Sequence, residues 1–187
     1  MQELYVPQER YMRRALELAE YAASLGEVPV GAVVVHKPTN RIIGEGWNLR
    51  ESGKSPLAHA EIMAIDQASR TLGGWRVIDS AIYVTLEPCP MCCGAILHAR
   101  LDHLVFGAYD PKGGAVASVE SMFDLPYNYH PTIEGGFLQE DCAIFPSIEK
   151  KEKRAGKITA VELALAILNN KKFPSNFLDR DLNGMEQ

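Results

Sequence analysis

Apolar residues recur at helical spacing between Pro7 and Leu25, at Met12, Ala15, Leu16, Ala19 and Ala23, and charged residues fill the other face. That period predicts an amphipathic helix, and Gly26 suits its C-terminal stop. "VPVGAVVVH" then makes a short β-branched run and "RIIGEGWN" a second, separated by the turn formers of "KPTN", so the two predict a hairpin. "AHAEIMAIDQASRTLG" returns to helical spacing through Ile62, Ala64, Ile65 and Ala68 and stops at Gly73 and Gly74. "SAIYVTL" reads as a buried strand, "PMCCGAILHAR" as a helix with Pro90 in its first turn, and "DHLVFGAY" as a further strand. After Gly113 and Gly114, "VASVESMF" predicts a short helix. The order α-β-β-α-β-α-β-α argues for helices on both faces of a mixed sheet.

The pattern changes past about residue 146. Pro146 interrupts "CAIFPS", the charged stretch "KKEKRAGK" follows, and "ITAVELALAILNN" reads as a separate amphipathic helix. The chain therefore divides into a main domain over 1–148 and a C-terminal tail of different character, partly helical, over 149–187. No internal repeat is present.

Composition narrows the class. Of 187 residues, 47% are hydrophobic and 23% charged, the profile of an ordinary globular protein. A domain of about 150 residues buries roughly 68–70% of its unfolded surface and needs no disulfide staples. The N-terminus is charged and lacks an apolar signal core, and no apolar run approaches the ~20 residues that span a bilayer. A cytoplasmic, reducing location is the expectation, which argues against disulfides. The net charge of -5 lacks the basic footprint usual in nucleic-acid binders. The basic run at 150–157 is the local exception, with a solvated charge run as its plainer reading.

The cysteines carry the chemistry. Three of the four, Cys89, Cys92 and Cys93, fall within five positions, and Cys142 stands apart. In a reducing compartment Cys-x-x-Cys reads as a redox pair or a metal site. "HAE" (His59, Ala60, Glu61) opens one helix and "PCPMC" opens another. His59, Cys89 and Cys92 supply three ligands for zinc, which in catalytic sites keeps a fourth corner open for water. Cys89 and Cys92 are one helical turn apart and share a side, and a helix N-terminus favours the thiolate. Glu61 lies close enough to reach the open corner without ligating. Bound zinc lowers the pKa of its water from 15.7 to about 7, so a carboxylate there suits hydrolysis with a proton shuttle. A closed structural site that recruits Cys93 is the alternative, but residues 92 and 93 point about 100° apart on a helix. Cys93 and Cys142 read as small packed hydrophobes. His36, His98, His103 and His130 have no partners at ligand spacing and read as structural or surface residues.

H-x-E followed by P-C-x-x-C is the signature of zinc-dependent nucleobase deaminases. The match runs further: "EVPVGAVVV", "IGEGWN", "AHAEIMAI", "YVTLEPCPMCCGAI" and "VFGAYDPKGGAVAS" closely resemble the bacterial tRNA-specific adenosine deaminases (the TadA family) over about residues 5 to 145. That resemblance implies a three-layer α/β/α cytidine-deaminase-like fold with a mixed central sheet. It implies one zinc ion per subunit, held by His59, Cys89 and Cys92, with Glu61 as general acid and base. It implies a homodimer that converts the wobble adenosine of a tRNA anticodon loop to inosine, with no role for DNA or a membrane. Asn48 matches an asparagine that the family uses against the flipped nucleoside. Val28 and Leu86 fall where it lines the base pocket, and Glu27 and Asp110 match positions near the bound RNA. Plainer readings stand beside these: Val28 and Leu86 are apolar as in any core, and Asp110-Pro111 suits a turn.

The chain departs from the family at its end, where members finish with one continuous helix carrying aromatic and basic residues. Two other functions compete. One is deamination of a free base or nucleoside such as cytosine, guanine or adenosine, which shares the zinc signature. The other is a non-catalytic zinc-stabilised interaction module, against which Glu61 argues.

Overall fold

The computed structural model describes residues 5–144. The tail expected over 149–187, with Pro146 and "KKEKRAGK", lies outside the described residues. Helix α1 (Glu9–Ser24) is followed by strands β1 (Gly31–His36) and β2 (Arg41–Trp47), helix α2 (Ala60–Leu72), strand β3 (Ser80–Leu86), helix α3 (Pro90–Ala99), strand β4 (His103–Ala108), a 3-10 turn (Met122–Asp124) and strand β5 (Thr132–Gly135). A helical segment begins at residue 139 and runs to the last described residue.

The strands form one sheet in the order β2-β1-β3-β4-β5. β1 pairs antiparallel with both β2 and β3, and β3–β4 and β4–β5 are parallel, so the sheet is mixed. Alternation along the central strands feeds two cores. Ala32, Val34, Ile82, Val84, Leu104 and Phe106 face α2 and α3 on one side. Val33, Val35, Ala81, Tyr83 and Val105 face α1 on the other. This is the three-layer arrangement that the hydrophobic pattern predicts.

Three local devices aim the chain at the site. α1 ends in a Schellman turn: Gly26 takes φ 79°, its N–H donates to Ala23 O (3.0 Å), and the Glu27 N–H donates to Ala22 O (3.0 Å). That turn delivers Glu27 to a buried position. α2 lies on β2 almost backbone to backbone. A Cβ at Gly46 would sit 2.1 Å from Ala60 O, and one at Gly44 would sit 2.2 Å from Ala64 O. The glycines thus set the depth of the helix start that carries His59 and Glu61. Finally, β3 and β4 run parallel and pair Leu86 with Ala108, so "EPC" and "YDPKGG" leave the sheet side by side.

Two elements differ from the sequence reading. The helix expected over "VASVESMF" is absent: residues 115–118 form turns, and only Met122–Asp124 closes a 3-10 turn. The amides of Val116, Ala117 and Ser118 donate to the Glu87 carboxylate, which takes them away from helical acceptors. β5 is unanticipated, because its four residues are all exposed and so lack the alternation that marks a strand.

Candidate metal centre

α2 and α3 begin side by side at the C-terminal end of the sheet, with His59 capping one and Cys89 the other. Cys89 Sγ is 3.7 Å from His59 Nδ1 and 3.6 Å from Cys92 Sγ, and Cys92 Sγ is 3.6 Å from His59 Nδ1. Tetrahedral zinc with S at about 2.3 Å and N at about 2.0–2.1 Å requires edges of about 3.8 Å between sulfurs and about 3.6 Å from sulfur to nitrogen. The three side chains therefore already have the spacing and donor chemistry that the ion needs. Among the described residues no other group of three His, Cys, Asp or Glu donors converges in this way.

The electrostatics of the triad are those of crowded donors, with His59 and Cys89 half-buried and Cys92 fully buried. Cys89 is drawn down to about 4, first by its hydrogen bond with Cys92, against the upward push of burial, and further by His59. Cys92 moves up through the same bond, and His59 moves up chiefly through Cys89. Glu61, only 4% exposed, is raised to about 7, above all by burial. Cys93 points elsewhere. It is fully buried in the core under α2 and α3, its Sγ lies 3.6 Å from Pro88 O, and burial raises its thiol to about 12. Cys142 packs in the opposite core against Gly107. His36 bonds Thr39 (3.0 Å), His103 stacks on Tyr5, His130 bonds the carbonyls of Phe123 and Tyr127 (2.8 Å each), and His98 is exposed.

Two loops flank the triad. On the α2 side, the Leu49 N–H donates to Ala58 O (2.9 Å), which ties the Asn48 segment to the residue preceding His59. Asn48 is buried, and among the described residues its side-chain amide has no hydrogen-bond partner. Val28 is half-buried in the stretch leading to β1. Glu27 sits at the base of this loop, where its carboxylate accepts the Ser52 N–H (2.7 Å), the Ser52 hydroxyl (2.7 Å) and the Glu51 N–H (3.1 Å). Burial pushes the Glu27 carboxyl up, but those bonds outweigh it and hold the group below the usual carboxylate range.

On the α3 side, Leu86 is half-buried at the end of β3. Asp110 closes a turn, with its side chain accepting the Lys112 N–H (3.1 Å) and its carbonyl accepting the Gly114 N–H (2.9 Å). Sequence reasoning missed Glu87, which is 3% exposed. One carboxylate oxygen accepts the N–H groups of Val116 (3.1 Å), Ala117 (2.8 Å) and Ser118 (2.9 Å). The other accepts the Asp110 N–H (2.9 Å) and the Ser118 hydroxyl. Burial raises this carboxyl, and the bonds more than reverse that, leaving it below its ordinary range. The available signal was a charged residue between Leu86 and Pro88 at the end of a buried strand, where a carboxylate must find partners.

Comparison with known proteins agrees with this geometry. Residues 6–108 match the cytidine and deoxycytidylate deaminase zinc-binding region. The chain is 51% identical over 137 residues to the tRNA-specific adenosine deaminase of Haemophilus influenzae, covering 72% of this chain and 78% of that protein. It is 42% identical over 155 residues to the tRNA-specific adenosine deaminase of Bacillus subtilis, covering 80% and 95%. A solved tRNA:A34 deaminase superposes with a TM-score of 0.69 at 40% identity, over 73% of this chain and 98% of that structure. The chain belongs to the cytidine and deoxycytidylate deaminase zinc-binding family, and within it to the tRNA-specific adenosine deaminases.

Proposed function

We propose that this protein hydrolyses the wobble adenosine of a tRNA anticodon loop to inosine, with release of ammonia. The observation that carries the proposal is the triad of His59, Cys89 and Cys92 at ligand spacing beside the buried, upshifted Glu61, within a chain 51% identical to a tRNA-specific adenosine deaminase.

In this reading His59, Cys89 and Cys92 hold one zinc ion per subunit. The ion's contribution is to acidify a water and make it nucleophilic near neutral pH. The adenosine leaves its stack to enter the site, as chemistry on a base requires. Asn48 offers its unpartnered amide to the flipped nucleoside, and Val28 and Leu86 present half-buried apolar surface to the base. Glu61 takes a proton from the attacking water as oxygen bonds to the carbon that bears the amino group. It passes that proton to the neighbouring ring nitrogen. When the carbon–nitrogen bond breaks, Glu61 carries the second water proton to the departing amine, so water and adenosine become inosine and ammonia. A carboxyl poised near 7 can both accept and return a proton at working pH. The reading includes a homodimer acting in the cytoplasm. Among the described residues no helix is long and apolar enough to cross a membrane.

The test is inosine formation from a synthetic anticodon stem-loop, run beside free adenosine, cytosine and guanine at matched zinc content. Conversion of the stem-loop, falling with added salt as phosphate contacts require, is the expected result. Conversion of a free base alone would overturn the tRNA assignment and leave a nucleobase deaminase.

A further inference from the structure

The Glu87 carboxylate is a saturated anion. Three consecutive amides, of residues 116 to 118, converge on one oxygen, and the Asp110 N–H and the Ser118 hydroxyl meet the other. The fit leaves no spare room: a Cβ built on Gly114 would lie 2.3 Å from the carboxyl carbon and 2.3 Å from its nearer oxygen. The loop so held runs directly beside the metal ligands, because the Ala115 N–H donates to Pro88 O (2.8 Å), the carbonyl just before Cys89. The Glu87 N–H in turn donates to Ala108 O (2.8 Å), at the last residue of β4. Its outer face is free, with Tyr109, Pro111, Lys112, Ala117 and Ser118 exposed.

Nothing in the hydrolytic chemistry uses this carboxylate. Its five donors leave it no capacity for a proton or a substrate, and it faces the loop instead of the triad. Without it, four amides and a hydroxyl would have to find water, and the 110–118 stretch, which contains neither helix nor strand, would lose its main anchor.

We propose that Glu87 is a positioning residue for RNA binding: it holds the 110–118 loop in one preformed conformation beside the site, so that the anticodon loop meets a surface that is already ordered. This rests on the tRNA reading above. Ordering a segment upon binding is charged against affinity and leaves the chemical step alone, so the signature lies in KM and not in kcat.

The experiment compares wild type with Glu87→Gln and Ser118→Ala as zinc-loaded full-length protein. Hydrogen exchange over residues 110–118 is measured without RNA, and kcat and KM are measured on the anticodon stem-loop. The amide of Gln presents two donors where five donors converge. In Glu87→Gln the amides of 116–118 should exchange at least about tenfold faster, since their protection is local. KM should rise about tenfold, with kcat within about threefold and zinc content unchanged. Ser118→Ala removes one donor of the five and should shift exchange and KM in the same direction by about two- to threefold; it carries the test alone if Glu87→Gln does not fold. Faster exchange at unchanged KM would overturn the proposal, and so would a loss confined to kcat or a loss of zinc. A wild-type protein that leaves the stem-loop untouched would instead sink the tRNA reading, and the anchoring would then stand or fall on exchange alone.

Discussion

Glu61 and Glu87 each lie two residues from a member of the same triad, His59 and Cys89, and both are nearly closed to solvent, at 4% and 3% exposure. Their surroundings drive them in opposite directions. Glu61, in the first turn of α2, is raised to about 7 because burial dominates what few hydrogen bonds it receives. Glu87 accepts five donors, and these outweigh the penalty of its own burial, so it stays an anion. A carboxylate that must move protons is left short of partners, and one that must hold a loop is given all it can accept. Glu27 repeats the second pattern across the site, with three donors from Glu51 and Ser52. The chain thus sets one undersatisfied carboxylate, Glu61, against two saturated ones, Glu27 and Glu87.

The sharpest way to break this comparison is Glu61→Gln. The amide keeps the side chain's volume and cannot accept the water's proton. Turnover should fall by at least ~10²-fold, the scale of a general acid–base residue, while zinc content by elemental analysis stays the same. The melting temperature should not drop, because the wild-type carboxylate is the desolvated, under-partnered member of the pair; active-site groups of this kind commonly trade stability for function. Retained turnover in Glu61→Gln would sink the role proposed for it. A large fall in melting temperature would mean that Glu61 is a clamp like the other two.

That asymmetry was half legible in the amino-acid sequence. His59 with Glu61, and Cys89 with Cys92, stand at short spacings on helix starts, so each half is legible locally. The two halves meet across 30 and 33 positions, and it is their shared ligand chemistry and the combined motif that join them. The helices and central strands were legible for a similar reason: each buries a stripe or alternation long enough to read, such as Tyr11 to Ala23 in α1. The clamp on residues 116–118 depends on contacts 29 to 31 positions apart. No period marks such contacts, and the local preference of "VASVESMF" for helix points the wrong way. Glycine spacing held the missing clue. Gly114 lacks a positive φ and open space, and is required only because Glu87 occupies the volume of its Cβ. β5 escaped notice because an exposed edge strand has no buried face to alternate against.

Gly114→Ala therefore tests the saturated member without altering a polar atom. Its methyl group must displace the Glu87 carboxylate or the loop backbone, an overpacking expected to destabilise the fold by about 1–3 kcal/mol. For a chain of this size that is a fall of roughly 2–4 °C in melting temperature per kcal/mol, read by calorimetry. Exchange at 116–118 should rise in the same variant. An unchanged melting temperature would mean that the Glu87 carboxylate can retreat without loss, and the contrast with Glu61 would weaken.

The smallest effect belongs to Glu27 and is read as a dependence on pH. Its folded carboxyl is held below the ordinary value, which is about 4.3 for glutamate in an unfolded chain. A depressed folded pKa stabilises the native state fully above the unfolded value, and that stabilisation is lost as pH falls through the folded one. Wild type should therefore exceed Glu27→Gln in stability at pH 7, and the gap should close on acidification below about pH 4. Urea midpoints measured for both proteins from neutral pH downward provide the comparison. Every other carboxyl, Glu87 included, titrates in both proteins and cancels from the difference, so the residual slope belongs to Glu27. A gap that stays constant with acid would mean that the 51–52 turn is held by side-chain shape and not by charge. Glu27 would then leave the class of saturated anions, and Glu87 alone would stand against Glu61.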